Sequence, residues 1–301
     1  MDFLGEFSNR KGEILNEGPN LKKNRILLIR CKDEAGLIHR ITGFLANIGA
    51  NIVGNQEFVE PLEKVFFMRT EYSLENNSKE EGLVTELAKI LPKDAELTLS
   101  NPRLPKVVLL ATKEPHCLGD ILLRWRYGEL PMELLGVVSN HEVLGDLVRD
   151  FKLPFHYISS EGLTREEHEN QLDSYLKRLH PDWIVLAKYM RILTSEFVKK
   201  WENRILNIHH SFLPAFVGAK PYEQAYKRGV KIIGGTAHIV TENLDEGPIL
   251  VQDVCHVDHG YSPERLVLFG RDLEKVVLSR ALRLLLEDRV MIFQNRTIIF
   301  E

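Results

Sequence analysis

Ile205-Leu206-Asn207-Ile208-His209-His210-Ser211-Phe212-Leu213-Pro214 reads as a strand with a polar tip, and the rest of the chain can be placed around it. Side chains two apart on a strand share a face, so Asn207 and His209 project together while Ile208 points the other way. The Ser-Phe-Leu-Pro turn marks the carboxyl end, which is where ligands sit in open α/β sheets. Working backward, short apolar strands at 107–111, 134–138 and 183–187 alternate with amphipathic helices at 118–127, 143–151 and 165–179. Working forward, a helix at about 222–228, strands at 232–240 and 248–256, and a long helix from about 263 to 287 complete the pattern. Strands alternating with helices require right-handed crossovers, which predicts a doubly wound, mostly parallel α/β sheet over residues 106–301.

The grammar is different upstream. Residues 1–23 are polar and carry Gly, Asn and Pro, and are expected to form a flexible arm. Ile26-Leu27-Leu28-Ile29 is a buried-strand pattern. Leu37, Ile41, Phe44, Leu45 and Ile48 then recur at steps of three and four and end at Gly49, the signature of an amphipathic helix. Two β-rich stretches (51–59 and 65–74), a helix at about 79–90 and a strand at about 95–99 complete β-α-β-β-α-β, a ferredoxin-like split βαβ unit over 24–100. Ser100-Asn101-Pro102-Arg103-Leu104-Pro105 has two prolines and no periodicity, so 101–105 is read as a linker.

With 301 residues, 44% of them hydrophobic, the chain has material for two cores. The formal net charge of −4 is spread without long like-charge blocks, which argues against a nucleic-acid partner or an anionic membrane surface. Three cysteines without CxxC spacing fit neither a disulfide framework nor a structural zinc site, and read as reduced thiols. No signal-peptide-length apolar stretch opens the sequence and no run of 18 apolar residues occurs, so a cytoplasmic protein is expected.

About 36 residues after His209, Asn243-Leu244-Asp245-Glu246-Gly247-Pro248 presents an acid on a turn whose backbone Gly and Pro fix. An amide, an imidazole and a carboxylate suit acyl transfer through a tetrahedral intermediate. Asn207 can donate to the developing oxyanion, His209 can carry a proton to the leaving amine, and Asp245 can orient the ring or hold the attacking water. No covalent nucleophile is needed, and Ser211 lacks a GxSxG elbow. His209 and His210 with His238 and Asp245 would alternatively serve as metal ligands, but HExxH and comparable dense spacings are absent, so no metal is expected. Neither the glycines around 49–54 nor Gly218-Ala219-Lys220-Pro221 has phosphate-loop spacing, so no nucleotide cofactor is expected either.

Asn207 to Phe216 followed by Leu244-Asp245-Glu246-Gly247-Pro248 resembles the folate-dependent formyltransferase family, and within it the hydrolytic branch, the formyltetrahydrofolate deformylases. The resemblance runs from about Lys106 to Glu301. It implies a loop wrapping a pterin ring at Leu186-Ala187-Lys188-Tyr189-Met190-Arg191-Ile192-Leu193, and further substrate contacts from His210, Gly235 and His238. Relatives that pass formyl to glycinamide ribonucleotide carry a Gly-Ser-rich turn after the first strand for the acceptor's phosphate. Here the position reads Thr112-Lys113-Glu114-Pro115-His116-Cys117-Leu118, with a carboxylate and no glycine. Methionyl-tRNA formyltransferases carry their extra domain after the catalytic one and need a basic surface. The N-terminal unit resembles an ACT domain through Asp33-Glu34-Ala35-Gly36-Leu37-Ile38-His39-Arg40-Ile41 and Gly49-Ala50-Asn51-Ile52. That likeness implies a small amino-acid effector near Asp33, Gly36, Leu37 and Asn51, or an oligomerisation unit without a ligand. One departure is Gly234-Gly235 where the family more often has Gly-Ala. The resemblance thus implies hydrolysis of 10-formyltetrahydrofolate to formate and tetrahydrofolate, serving purine synthesis and the one-carbon folate pools, by a homo-oligomer (dimer or tetramer) without cofactor. Formyl transfer to an amine and non-catalytic folate or amino-acid sensing are the alternatives.

Overall fold

A computed structural model describes residues 24–74, 82–100, 103–214 and 221–301. The expected arm (1–23), the start of the second helix and two linker residues lie outside the described residues. The N-terminal unit comprises β1 (Arg25–Lys32), α1 (Leu37–Asn47), β2 (Asn51–Glu60), β3 (Val65–Ser73), α2 (Leu83–Ala88) and β4 (Glu96–Leu99). Its strands form an antiparallel sheet in the order β2-β3-β1-β4. The helical stripe read from the sequence faces that sheet: Leu37, Ile41 and Leu45 are fully buried beside Leu27, Ile29 and Tyr72, with Phe44 and Ile48 at the margin.

The larger unit contains β5 (Lys106–Ala111), α3 (His116–Arg126), β6 (Glu133–Ser139), α4 (Gly145–Asp150), β7 (Phe155–Tyr157), α5 (Arg165–Leu179) and β8 (Trp183–Leu186). It continues through α6 (Ser195–Lys200), β9 (Ile205–His209), α7 (Pro221–Arg228), β10 (Ile232–Ile239), β11 (Ile249–His256) and α8 (Pro263–Leu286). The sheet order is β11-β10-β9-β8-β5-β6-β7. Five strands are parallel, and β10 and β11 are antiparallel additions. Alternate residues of β5 serve different helical layers: Val107, Leu109 and Ala111 pack with α3 and α8, while Val108 and Leu110 pack with α5 and Phe197 of α6. A strand buried on both faces must be apolar throughout, which is why these strands read as continuous runs rather than alternations. The chain leaves β5 toward β6 and β7, then returns to β8 on the other side, so the switch point lies between β5 and β8. Among the described residues no helix is long and apolar enough to cross a membrane.

Beyond α8 lies a hairpin, β12 (Val290–Phe293) and β13 (Arg296–Ile299), in a stretch to which the sequence reading assigned no element. Its turn is made by Gln294 in the left-handed region at φ 54°. The hairpin joins the two sheets. Phe67 of β3 meets Phe293 edge-on at 5.3 Å, with Phe300 in the same cluster. Arg69, 5% exposed, donates from Nε to the Asp288 carbonyl (3.0 Å) and from Nη2 to the Glu287 carbonyl (3.1 Å), capping the carboxyl end of α8. Arg69→Ala is expected to cost about 1–3 kcal/mol of unfolding free energy, because it removes two charged donor contacts from partly buried carbonyls at the helix end. A urea midpoint unchanged in the purified variant would contradict this.

Candidate active site

The carboxyl ends of β8 and β9, with β10 beside them, border a cavity of about 350 Å³. Antiparallel pairing sets His209 opposite Thr236 and Asn207 opposite His238, so these polar side chains share one face of the sheet. The loop after β8 is tied down at the switch point, where the Met190 N–H donates to Thr112 Oγ1 at the end of β5 (3.0 Å). That tether brings Lys188, Tyr189, Met190, Arg191, Ile192 and Leu193 along one wall of the cavity.

Asp245 reaches the same cavity from the loop between β10 and β11. Its backbone is left-handed at φ 58°, a region Asp tolerates better than most residues. Gly247 is required two positions later, since a Cβ there would lie 1.8 Å from the Ile239 carbonyl oxygen. The Ile239 N–H donates to the Pro248 carbonyl (2.9 Å), and the pairing of β10 with β11 slips between Ala237 and His238. These features fold the loop back over β10, so the turn predicted from Gly and Pro serves to aim the carboxylate.

Asp245 Oδ2 lies 3.2 Å from His209 Nδ1, and its Oδ1 lies 3.6 Å from His238 Nε2. Burial would push the Asp245 carboxyl up, but the hydrogen bond from His209, with the two rings placed against the carboxylate, outweighs it and holds the group well below the carboxylate range. His209 is 6% exposed, and its Nε2 has no hydrogen-bond partner among the described residues. His238, 1% exposed, donates from Nδ1 to the Ile239 carbonyl (3.0 Å) and accepts at Nε2 from the Asn207 amide (3.2 Å). One Asn207 amide hydrogen is thereby engaged and the other remains for a ligand.

Of the residues nominated from the sequence, Asn207, His209, Asp245, Met190, Arg191, Ile192, Leu193, His210 and His238 all line this one cavity. Gly235 does not. It lies on the opposite face of β10, where an added Cβ would meet Leu273 and Glu274 of α8 only at about 3.9 Å, so the Gly-Ala of the family would also fit. In the N-terminal unit Leu37 is committed to the core, while Gly36 (φ 85°) starts α1 and Asn51 is exposed at the beginning of β2. Asp33 is half-buried, with its N–H donated to the Lys64 carbonyl (2.8 Å).

The sequence reading included Lys188 in the pterin loop without giving its side chain a role, and it missed Glu274. Lys188, 5% exposed, lies on the cavity wall with Nζ 3.1 Å from Glu274 Oε2. The signal was present: Gly270, Glu274, Val277, Leu278 and Ala281 follow helical spacing, which sets a carboxylate on the buried stripe of α8. Among the described residues, His116, Cys117 and Glu274 are the three metal-type ligands that lie within 4.8 Å of one another. They suit a cation poorly. The Lys188 ammonium already faces that carboxylate, and burial, followed by the Glu274 charge, pushes the Cys117 thiol far up and keeps it protonated.

The family model described as formyl transferase matches residues 105–282. A formyltetrahydrofolate deformylase of Haemophilus influenzae is 50% identical over 277 residues, covering 92% of this chain and 99% of that protein. The crystal structure of a formyltetrahydrofolate deformylase from Pseudomonas syringae superposes with a TM-score of 0.87 at 39% identity, covering 92% of this chain and 94% of that one. A glycinamide ribonucleotide transformylase from Symbiobacterium toebii superposes with a TM-score of 0.63 at 30% identity, covering 66% of this chain and 95% of that one. The transformylase thus accounts for two thirds of the chain, whereas the deformylases account for nearly all of it, both sheets included. By that likeness along its length, the chain belongs to the formyltetrahydrofolate deformylase family.

Proposed function

We propose that the cavity at the ends of β8 and β9 hydrolyses 10-formyltetrahydrofolate to formate and tetrahydrofolate, with Asn207, His209 and Asp245 as the catalytic residues. The observation that carries this reading is the Asp245–His209 pair beside Asn207 in one cavity. Asp245 accepts from Nδ1 of His209 and so favours the ring form whose lone pair is on Nε2. A buried lone pair without a protein partner is costly unless a reactant uses it. Water, held near the Asp245 carboxylate, forms the new bond to the formyl carbon as His209 takes its proton. The free amide hydrogen of Asn207 then meets the oxyanion, a contact worth about 10²- to 10³-fold in rate. His209 returns the proton to N10 as the C–N10 bond breaks. The exposed side chains of Met190 and Ile192, with Arg191 and Leu193, form the wall expected to meet the pterin.

The same reading places the enzyme in the cytoplasm as a homo-oligomer needing no cofactor, with residues 24–100 as an ACT-type regulatory or oligomerisation domain, 101–105 as the linker and 106–301 as the catalytic domain. Purified protein supplied with 10-formyltetrahydrofolate and a chelator is expected to release formate and tetrahydrofolate in equal amounts. An absence of formate release, with folate bound, would instead favour the sensing alternative.

A further inference from the structure

We propose that Lys188 and Glu274 are specificity-determining residues whose buried ion pair closes the flank of His209 to any amine acceptor, leaving water alone to take the formyl group. The inference rests on the hydrolase reading above and adds the reason for its choice of acceptor.

The pair is the centre of a small polar cluster drawn from separate elements. Glu274, 2% exposed on α8, receives His116 Nε2 of α3 at Oε2 (2.8 Å), Lys188 Nζ at the same oxygen (3.1 Å) and the Tyr222 hydroxyl of α7 at Oε1 (2.8 Å). Burial would raise the Glu274 carboxyl, but the His116 bond, the Lys188 charge and the Tyr222 bond hold it near about 2, so it stays an anion. Gly270 makes the cluster possible, because a Cβ there would lie 1.9 Å from the Tyr222 hydroxyl. The cluster reaches the catalytic ring through His210. That ring stacks on His209 at 4.8 Å and 22°, and is followed by Tyr222 at 6.3 Å.

Stability is a poor explanation for Lys188. Its backbone is left-handed at φ 62°, where glycine sits freely and a lysine costs about 1–2 kcal/mol. A buried ion pair seldom gains more than its desolvation costs. Both penalties are accepted at a residue that lines the reaction cavity together with His210 and His209. The position has a chemical consequence. A buried carboxylate at this flank would otherwise be a binding site for an incoming ammonium group, and Lys188 supplies that ammonium from within the chain. An amine acceptor therefore finds its anion engaged, its charged form repelled and its space filled. Water is neutral and small enough to enter.

In hydrolysis a water oxygen bonds to the formyl carbon, the C–N10 bond breaks, one water proton passes to N10 and the other leaves as formate ionises. With an amine acceptor, the amine nitrogen forms the new bond to carbon and its proton passes to N10. The balance between the two products is the readout. Full-length protein, Lys188→Gly and the double variant Lys188→Gly/Glu274→Gln are each incubated with 10-formyltetrahydrofolate and either hydroxylamine or ethylenediamine. Formate and the N-formyl product are measured together by mass spectrometry.

The unmodified protein is expected to give formate and no enzyme-dependent N-formyl product. Lys188→Gly is expected to form N-formyl product at a ratio to formate about tenfold or more above the smallest ratio detectable with the unmodified protein. The gain should be larger with ethylenediamine, whose second nitrogen can occupy the freed Glu274, and the double variant should lose that advantage. An unchanged ratio in both variants overturns the proposal, as does comparable N-formyl product from the unmodified protein. No formate from the unmodified protein refutes the hydrolase reading instead. A ratio does not depend on how much of the enzyme is folded, so a partly misfolded variant still reports it.

Discussion

His209→Ala is expected to lower the turnover number for formate release by about 10²- to 10⁴-fold, the range general acid–base catalysis contributes. The substitution removes the one ring that bonds Asp245 through Nδ1 while keeping Nε2 without a protein partner among the described residues. Without it, nothing in the proposed scheme takes the proton from water or returns it to N10, and the leaving amine must depart unprotonated. The loss should appear in kcat more than in KM, because the wall from Met190 to Leu193 that is expected to hold the pterin is untouched. Added imidazole should restore part of the rate by entering the space left by the ring. Circular dichroism is the control for the fold. A purified, folded His209→Ala protein working within about tenfold of the unmodified rate would be incompatible with a proton-transfer role.

Asp245→Asn is expected to be comparably severe, at about 10³- to 10⁴-fold in kcat, by analogy with other imidazoles whose orienting carboxylate is replaced. The shape is almost unchanged, but an amide can offer an N–H to Nδ1 and favour the ring form with its proton on Nε2. The carboxylate also faces His238 Nε2 at 3.6 Å, so the substitution removes a negative charge from beside both histidines. The same residue carries a pH signature. Its folded-state value lies well below the unfolded value of about 3.9, because the two histidine contacts outweigh burial. A depressed carboxylate contributes stability that is present above the unfolded value and lost as pH falls through the folded one. The difference in unfolding free energy between the unmodified protein and Asp245→Asn should therefore be steady from neutral pH down to about pH 4 and shrink below it. Urea titrations at several pH values measure that difference directly. A gap that widens on acidification would show that the carboxylate is not stabilised as an anion.

The candidate site was legible in the sequence to the extent that it is local. Asn207 and His209 share a strand face because the period of a strand is two, and the strand occupies Ile205–His209 as read. Asp245 was legible as the acid of a Gly-Pro turn, and the turn is real, though its reach to His209 depends on Gly247 lying against Ile239. Gly235 illustrates the limit: it belongs to the same short motif as His238, yet strand alternation sends it to the other face. Lys188 and Glu274 were harder still. They lie 86 positions apart by the numbering, on a loop and a helix that meet only when α8 packs across the sheet.

What the chain's linear pattern determined was the kind of each element and the face it buries. Apolar runs became central strands, the Leu37-to-Ile48 stripe became the inner side of α1, and Gly49 ended that helix in a turn, because these outcomes depend on backbone sterics and local periodicity. What only the tertiary structure decided was which distant groups face one another. The antiparallel placement of β10 beside β9, the clamp of Arg69 on the end of α8 and the buried pairing of Glu274 all involve partners far apart in sequence. Their physical reason is shared: a buried polar group must find a partner in space, and a one-dimensional pattern records only that the group is polar.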